Sequence, residues 1–162
     1  GMAGFALAAC TVAGLQLHAQ AIAAHNSNAP VNYAANRIEL QDRQDRVVLS
    51  GNVVIDQANL RMTAGRTIVD YSDAGSLSIQ RISATGGVTV TRGNERARGS
   101  VAVYDFNRRV ITMTGDVRLQ RGSDTLNGGR LTIDLSTGLS SIDGAGGGQN
   151  GRVTGSFSVP SN

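Results

Sequence analysis

Alternating apolar and polar residues run through most of the chain, and a four-residue motif recurs within this alternation. The motif is a small polar residue, a glycine, one further residue and a valine, at 50–53 (SGNV), 85–88 (TGGV) and 114–117 (TGDV). Side chains two residues apart lie on one face of a strand, so the apolar residues around each glycine share a face. They are Val47, Leu49, Val53 and Ile55, then Ile82, Ala84, Val88 and Val90, then Ile111, Met113, Val117 and Leu119. A glycine on that same face predicts a bulge or bend in each strand.

A second repeated element follows each motif glycine after 13 or 14 residues, at Gly65, Gly99 and Gly129. Each of these glycines precedes an alternating strand. The apolar-face positions of these strands are Thr67 and Val69, Val101 and Val103, and Leu131 and Ile133. Ile38 and Leu40 form an additional half-repeat at the start, and residues 142–144 resemble the opening of a fourth copy. Repeats at such intervals predict a stacked or rolled architecture.

The fold class predicted from this pattern is all-β. No segment after the N-terminal region shows a helical period, and short strands at regular spacing are typical of a sandwich, barrel or roll. One domain is expected at 33–159, followed by a tail at 160–162. Residues 145–151 are rich in glycine and have no adjoining lysine, which favours a connector over a phosphate-binding loop. Residues 152–159 are expected to add one last strand before Pro160.

The N-terminal region resembles a secretory leader. Residues 2–17 are apolar and small, and Ala19 and Ala21 fit the signal-peptidase pattern, so a leader is predicted at 1–21. Its basic n-region is missing, which predicts a truncated leader. The segment around Cys10 also resembles a lipobox, in which this cysteine would carry a lipid. Residues 22–32 are expected to form a flexible lead-in.

Composition limits the chemistry that the domain can perform. All 15 basic residues are arginine, and the net charge is +3. Without lysine, Schiff-base and P-loop chemistry are excluded. His18 and His25 both precede the domain, so neither a histidine triad nor a multi-histidine metal site is expected in it, and no cofactor is predicted. Arginine and aspartate alternate rather than cluster, and aromatic residues make up only 4% of the chain, which argues against nucleic-acid binding.

The ordered series of motifs resembles the LptA/OstA family of lipopolysaccharide transport proteins. The segments that carry the resemblance are ANRIEL at 35–40, VLSGNVVI at 48–55, TAGR at 63–66, ARGSVAVYD at 97–105, TGDV at 114–117 and LNGGRL at 126–131. Any one of them would be common by chance, and the specificity lies in their order. The resemblance extends from about residue 33 to 157.

The resemblance implies a twisted, incompletely closed antiparallel β-jellyroll in the periplasm of a Gram-negative bacterium. It further implies a non-enzymatic protein that carries lipopolysaccharide or a related glycolipid from the inner to the outer membrane along an apolar groove. The expected partners are an inner-membrane LptC-type protein, an outer-membrane LptD-type protein and further copies of the chain, assembled end to end through the Ile38–Leu40 edge and the 152–159 edge.

The groove implied by the resemblance is expected to be lined by the apolar faces of the repeats. The predicted lining residues are Ile38, Leu40, Val47, Leu49, Val53, Ile55, Val69, Val88, Val90, Val101, Val103, Met113, Val117, Leu119, Leu131 and Ile133. Arg37, Arg66 and Arg130 are candidate contacts for the lipid head group. Without the resemblance, most of these apolar residues would be assigned to an ordinary core and these arginines to the surface.

Three alternatives remain open from the sequence. One is the periplasmic domain of an LptC-type membrane-associated component, and another is a self-assembling structural β protein without a ligand. A glycosidase would need a carboxylate pair such as Asp42 and Asp45 or Asp70 and Asp73. These aspartates adjoin predicted turns, where local hydrogen bonding explains them better.

Overall fold

Twelve β-strands account for most of the chain that the computed structural model describes, which comprises residues 25–144 and 151–159. The strands are β1 (Val31–Ala34), β2 (Arg37–Gln41), β3 (Arg46–Gln57), β4 (Leu60–Ser72), β5 (Ser78–Thr85), β6 (Val88–Arg92), β7 (Glu95–Gly99), β8 (Val101–Asp105), β9 (Val110–Arg121), β10 (Asp124–Asp134), β11 (Ser140–Asp143) and β12 (Thr154–Ser156). A 3-10 turn at Asp42–Gln44 separates β2 from β3. The predicted all-β class is confirmed. The predicted leader (1–21) with Cys10, most of the connector (145–150) and the tail (160–162) lie outside the described residues.

All twelve strands form one antiparallel sheet that is bent into two layers. The long strands β3, β4, β9 and β10 cross the bend and contribute one segment to each layer. The first layer contains β1, β6, β7 and β12 together with the segments of the long strands around 53–57, 60–64, 117–121 and 124–128. The second layer contains β2, β5, β8 and β11 together with the segments around 46–50, 66–72, 110–114 and 130–134.

The roll is incompletely closed, as the resemblance implied. At one edge β1 and β2 pair with β3, and at the other β11 and β12 pair with β10. No ladder joins the first edge to the second within the described residues. Each layer therefore ends in a short strand with a free side.

The motif glycines lie along the bend, which confirms the predicted distortion. Gly51 and Gly115 have φ values of 79° and 87°, and Asn52 and Asp116 after them both have φ values of 48°. The register of the β3/β4 ladder shifts between Ser50 and Val53. At this point β3 takes three steps, from residue 50 to 53, while its partner takes two, from residue 66 to 64. Such an extra residue bends the strand and increases its twist.

The bend also changes which residues of the partner strand face inward. In β3 the inward residues on either side of the bend, Leu49 and Val53, are four positions apart, whereas in β4 Ala64 and Thr67 are three apart. The same three-residue interval separates Gly99 from Ala102 in the segment formed by β7 and β8, and Gly128 from Leu131 in β10.

The prediction that Val101 and Val103 face inward is therefore wrong. Ala102 and Tyr104 are buried instead, and Val101 is 36% exposed on the outer face. In the sequence, the repeat aligns Gly65, Gly99 and Gly129. In the structure, Gly99 is equivalent to Ala64 and Gly128, because each of these residues pairs with the motif valine. Ala64 and Gly128 lie one residue before Gly65 and Gly129, so the expected alternation after Gly99 is displaced by one residue.

The inward faces of the two layers meet in one hydrophobic core. The most deeply buried side chains are Leu49, Val53, Ile82, Val88, Met113, Val117, Leu131 and Leu135. Gly99 is part of this packing because a Cβ on it would lie 2.5 Å from Cγ of Met113. Most residues of the predicted lining are therefore core residues in this structure.

Adjacent glycines in the bend allow a controlled test of its geometry. Gly86 and Gly87 both have a φ of 80°, but a Cβ on Gly86 would lie 3.3 Å from Cα of Gly65, whereas one on Gly87 meets nothing within 4 Å. Gly87→Ala should lower the free energy of unfolding by about 1 kcal/mol through its left-handed conformation alone. Gly86→Ala should cost about 1–3 kcal/mol more because it also crowds the neighbouring backbone. Urea denaturation measures both, and equal losses would contradict the close approach at the bend.

Candidate binding site between the two layers

Three pockets lie in a row between the layers; the first two are mainly apolar, and the third has a mixed polar and apolar lining. The first is lined by residues of β1, β3, β4, β5, β6, β8 and β9, and the second by residues of β4, β6, β7, β9 and β10. Leu60 and Val90 line both of them. The third adjoins β12 and shares Leu119 with the second. The row therefore runs across the strands from the β1 edge to the β12 edge.

The pockets differ in size. The first and second have cavity volumes of about 20 Å³ each, and the third of about 190 Å³. A volume of about 20 Å³ holds roughly one water molecule. Side chains therefore fill most of the row, and only its β12 end is open. Any chain-like ligand would have to separate the two layers to occupy the whole row.

The predicted lining residues fall into four groups. Ile55, Val90, Leu119 and Ile133 line the pockets. Val47, Leu49, Val53, Val69, Val88, Met113, Val117 and Leu131 face inward and are buried. Ile38 and Leu40 pair with the inward residues Leu49 and Val47, yet they are 43% and 66% exposed because β2 is an edge strand. Val101 and Val103 face outward, as described above.

The three candidate head-group arginines do not adjoin the row. Arg37, Arg66 and Arg130 alternate with inward residues and so lie on the outer face of the second layer, close to the bend. Arg37 forms an ion pair of 3.4 Å with Glu39 of its own strand. None of the three lines a pocket of the row.

Other arginines lie at the row itself. One carboxylate oxygen of Glu95 forms an ion pair with Nη2 of Arg121 at 3.1 Å, and the other lies 3.9 Å from Nη2 of Arg92. Arg92 and Glu95 line the second pocket, and Arg121 lines the third. This ion-pair network lies where β6, β7 and β9 reach the side of the roll opposite the bend. The sequence does not reveal this network, because its residues lie at the ends of separate strands.

Aromatic residues line the row at both ends, and the sequence analysis did not select them. Tyr104 and Phe106 line the first pocket with their rings stacked, 4.0 Å between centroids and 14° between planes. Phe157 lines the third pocket and is 70% exposed. The alternation of Ala102, Tyr104 and Phe106 was a usable signal, but the misaligned repeat favoured the valines between them.

A buried polar cluster attaches the lead-in to the first pocket. Gln57, only 3% exposed, donates from Nε2 to the carbonyl oxygens of Ser27 and Ala29 at 2.9 and 3.1 Å. Its Oε1 lies 3.0 Å from the hydroxyl of Tyr104 and 2.9 Å from Nε2 of His25. Burial raises the pKa of the Tyr104 phenol, and its hydrogen bond with Ser27 opposes that shift. Residues 25–29 are thus held against the domain, in contrast to the expected flexible lead-in.

The sequence profile of the LptA/(LptD N-terminal domain) LPS transport protein family matches residues 33–139. The chain belongs to this family. It is a family of transport proteins rather than of enzymes. Within the described residues, no three or more His, Cys, Asp or Glu side chains are grouped so as to hold a metal ion, and no helix is long and apolar enough to cross a bilayer.

Two individual proteins are similar to the chain. An uncharacterized protein of Rhizobium meliloti (strain 1021) is 26% identical over 129 residues, which cover 75% of this chain and 69% of that protein. The crystal structure of LptH from Pseudomonas aeruginosa, described as the LptA homologous periplasmic component of the lipopolysaccharide transport device, matches with a TM-score of 0.73. That match covers 83% of this chain and 99% of LptH at 16% identity, and it establishes a shared fold.

The attachment of the lead-in depends on Gln57, which allows a direct test. Gln57→Leu removes the donors to residues 27 and 29 and should lower the free energy of unfolding by about 1–3 kcal/mol. It should also speed amide hydrogen exchange in residues 26–29. Gln80→Leu is the matched control, because the side-chain hydrogen bonds of Gln80 are exposed. Unchanged exchange in Gln57→Leu would contradict the role of this cluster.

Proposed function

We propose that this protein binds lipopolysaccharide or a related glycolipid between its two layers and carries it through the periplasm from the inner to the outer membrane. Membership of the lipopolysaccharide transport family supports this class of cargo. The observation that carries the proposal is the row of largely apolar pockets that runs between the layers from the β1 edge to the β12 edge. Such a row follows the direction in which acyl chains would pass from one copy to the next.

The packed state of the row suits transport better than storage. Burial is worth about 0.8 kcal/mol per methylene, so an acyl chain of about twelve carbons would gain on the order of 9 kcal/mol in a preformed apolar cavity. Here the two inner pockets are filled by side chains. Binding therefore replaces contacts between side chains with contacts to the lipid, and the net gain is smaller. A modest net affinity lets the lipid leave for an equivalent site.

The head group would meet the ion-pair network of Arg92, Glu95 and Arg121, which lies beside the second and third pockets. Arg92 and Arg121 both contact Glu95, and arginine pairs well with phosphate. A phosphate arriving there would compete with a single carboxylate for two guanidinium groups. We assign head-group contact to these two arginines in place of Arg37, Arg66 and Arg130.

The open edges support end-to-end assembly of copies. Edge strands with free backbone groups can accept a strand from another molecule. At the first edge Tyr33, Ile38 and Leu40 are exposed in inward register, and at the second Phe157 is exposed beside the third pocket. Joining unlike edges would continue both layers and bring apolar surface against apolar surface. LptC-type and LptD-type proteins are the partners proposed for the two ends of such an assembly.

The lipid path can be tested by photo-crosslinking at two residues of the second layer. Ile133 and Val103 are both half-buried, but Ile133 lines the second pocket whereas Val103 faces outward. A photoreactive amino acid at position 133 should crosslink to purified lipopolysaccharide, and one at position 103 should not. The crosslinked product is measured by a shift on a denaturing gel and an immunoblot for the lipid.

Two results would count against the lipid path. Equal crosslinking from positions 133 and 103 would indicate nonspecific contact. If the folded protein gives no crosslink from position 133, a self-assembling β protein whose inner face is only a core would be favoured. The small volumes of the first and second pockets would then reflect ordinary core packing.

End-to-end assembly can be tested with cysteines at the two edges of the second layer. In a chain with Cys10 replaced by serine, Glu39→Cys lies in β2 and Ser141→Cys in β11. A short bismaleimide should link the double variant into a ladder on a denaturing gel, because each copy joins two neighbours. Each single variant should give monomer and at most dimer. A double variant that stays monomeric at high protein concentration would exclude assembly through these edges.

A further inference from the structure

Three arginines lie together on the outer face of the first layer. Arg98 of β7 and Arg118 of β9 are directly opposite each other in the ladder, and Arg96 lies two residues from Arg98, next to Gln120. Side chains two apart on a strand are separated by about 7 Å, and directly opposite ones by about 5 Å. All three side chains are exposed. Arg96 also borders the second pocket at the far end of β7.

This arrangement costs stability in the protein alone. Like charges directly opposite each other in a sheet repel, and these separations are shorter than the screening length of about 8 Å at physiological salt. None of the three forms an ion pair or a side-chain hydrogen bond within the described residues, although Arg37, Arg46, Arg61, Arg92 and Arg121 all pair with a carboxylate. Asp116, the nearest acid along β9, lies in the bend and makes no ion pair. An anion from outside the chain would relieve the repulsion.

The charge on the first layer is not balanced as it is on the second. By strand register, the outward charged residues of the second layer are Arg37, Arg46, Arg66, Arg81 and Arg130 with Glu39, Asp70, Asp105, Asp134 and Asp143. Those of the first layer are Arg61, Arg96, Arg98 and Arg118 with Asp56. Arg61 is paired with Asp56 at 2.7 Å, which leaves the three arginines as the net charge of that face.

The surroundings of the three arginines resemble a surface for phosphate groups more than one for a protein. Thr89 and Asn127 flank Arg98 and Arg118 in one row across the strands, and Thr91 and Gln120 flank Arg96 in the next. The hydroxyl and amide groups of these side chains can donate hydrogen bonds to phosphate and glycerol oxygens. Protein interfaces normally have an apolar or aromatic centre, which these two rows lack.

We propose that the outer face of the first layer docks on an anionic phospholipid bilayer through Arg96, Arg98 and Arg118. The face is broad and sheet-like, and it presents positive charge to the lipid phosphates. The row of pockets lies parallel to this face, so docking applies to an individual copy lying along the membrane rather than to one extending away from it. The contact is electrostatic, reversible and separate from any lipid bound between the layers.

Vesicle co-sedimentation tests this docking. The full chain at low concentration should bind vesicles that contain phosphatidylglycerol, should not bind pure phosphatidylcholine vesicles, and should be released by 0.5 M salt, as expected for weak electrostatic contact (~1 kcal/mol per arginine). Arg98→Gln with Arg118→Gln should lower the partition coefficient about 25-fold, since each arginine near an anionic surface contributes about a factor of five. The matched control is Arg43→Gln with Arg108→Gln. Both arginines are exposed in turns of the second layer, and replacing them removes the same net charge.

Each outcome of this experiment decides the proposal. A loss confined to the first-layer variant supports docking through this face. Equal losses in both variants would show that binding depends on net charge rather than on this face, and would overturn the proposal. Absence of vesicle binding by the unmodified chain would also overturn it. Retention on polyglutamate without vesicle binding would assign the face to an acidic protein partner instead.

Thermal unfolding provides an independent readout. Removing the opposed pair should leave the Tm unchanged or raise it, because the arginines repel each other in the free protein. A vesicle-binding defect together with a lower Tm would mean that Arg98 and Arg118 support the fold, and it would count against the proposal. Lipopolysaccharide crosslinking at position 133 should be unaffected, which separates this inference from the proposed function.

Discussion

The structure depends on a mismatch of one residue where paired strands cross the bend. At that line one strand uses an extra residue relative to its partner, as between Ser50 and Val53 of β3 against Arg66 and Ala64 of β4. Glycines with positive φ accommodate this, and Gly86 approaches the backbone of Gly65 closely enough that no larger residue fits without adjustment. Because the mismatch recurs along the sheet, the bends align into a single fold line. The two layers, their shared interior and the free edges all follow from that line.

The same mismatch explains how far the sequence could be interpreted. Alternation predicts strands well, and it located the bends because the motif glycines keep the phase of their own strands, as Leu49 and Val53 illustrate. It failed at Val101 and Val103 because the partner strand changes phase where it meets the bend. A glycine such as Gly99 recurs near this position, but it does not show on its own that the inward face changes phase there. The shift is a property of the pairing, so it becomes visible only when both strands are placed together.

The interior between the layers was predictable in composition but not in degree of filling. The identities of the apolar side chains assigned to the lining from sequence do not reveal whether these side chains touch each other or leave a channel, since both arrangements need the same residues. Likewise, charged residues at hairpin ends, such as Arg92, Glu95 and Arg121, become a cluster only when three separate strands end at one place. Sequence patterns report the face of a residue and not its distance from the opposite layer.

Nothing in the free edges themselves would limit how many copies join end to end. A copy that accepts a neighbour at one edge still presents the other, with exposed apolar residues such as Ile38 and Leu40 at the first edge or Phe157 at the second. Growth by unlike edges would not have to close on itself. The length of an assembly would then be set by the supply of terminating proteins and by the distance they span. Loss of a terminating protein would leave an exposed apolar edge that can bind a further copy, rather than a shorter assembly with an inert end.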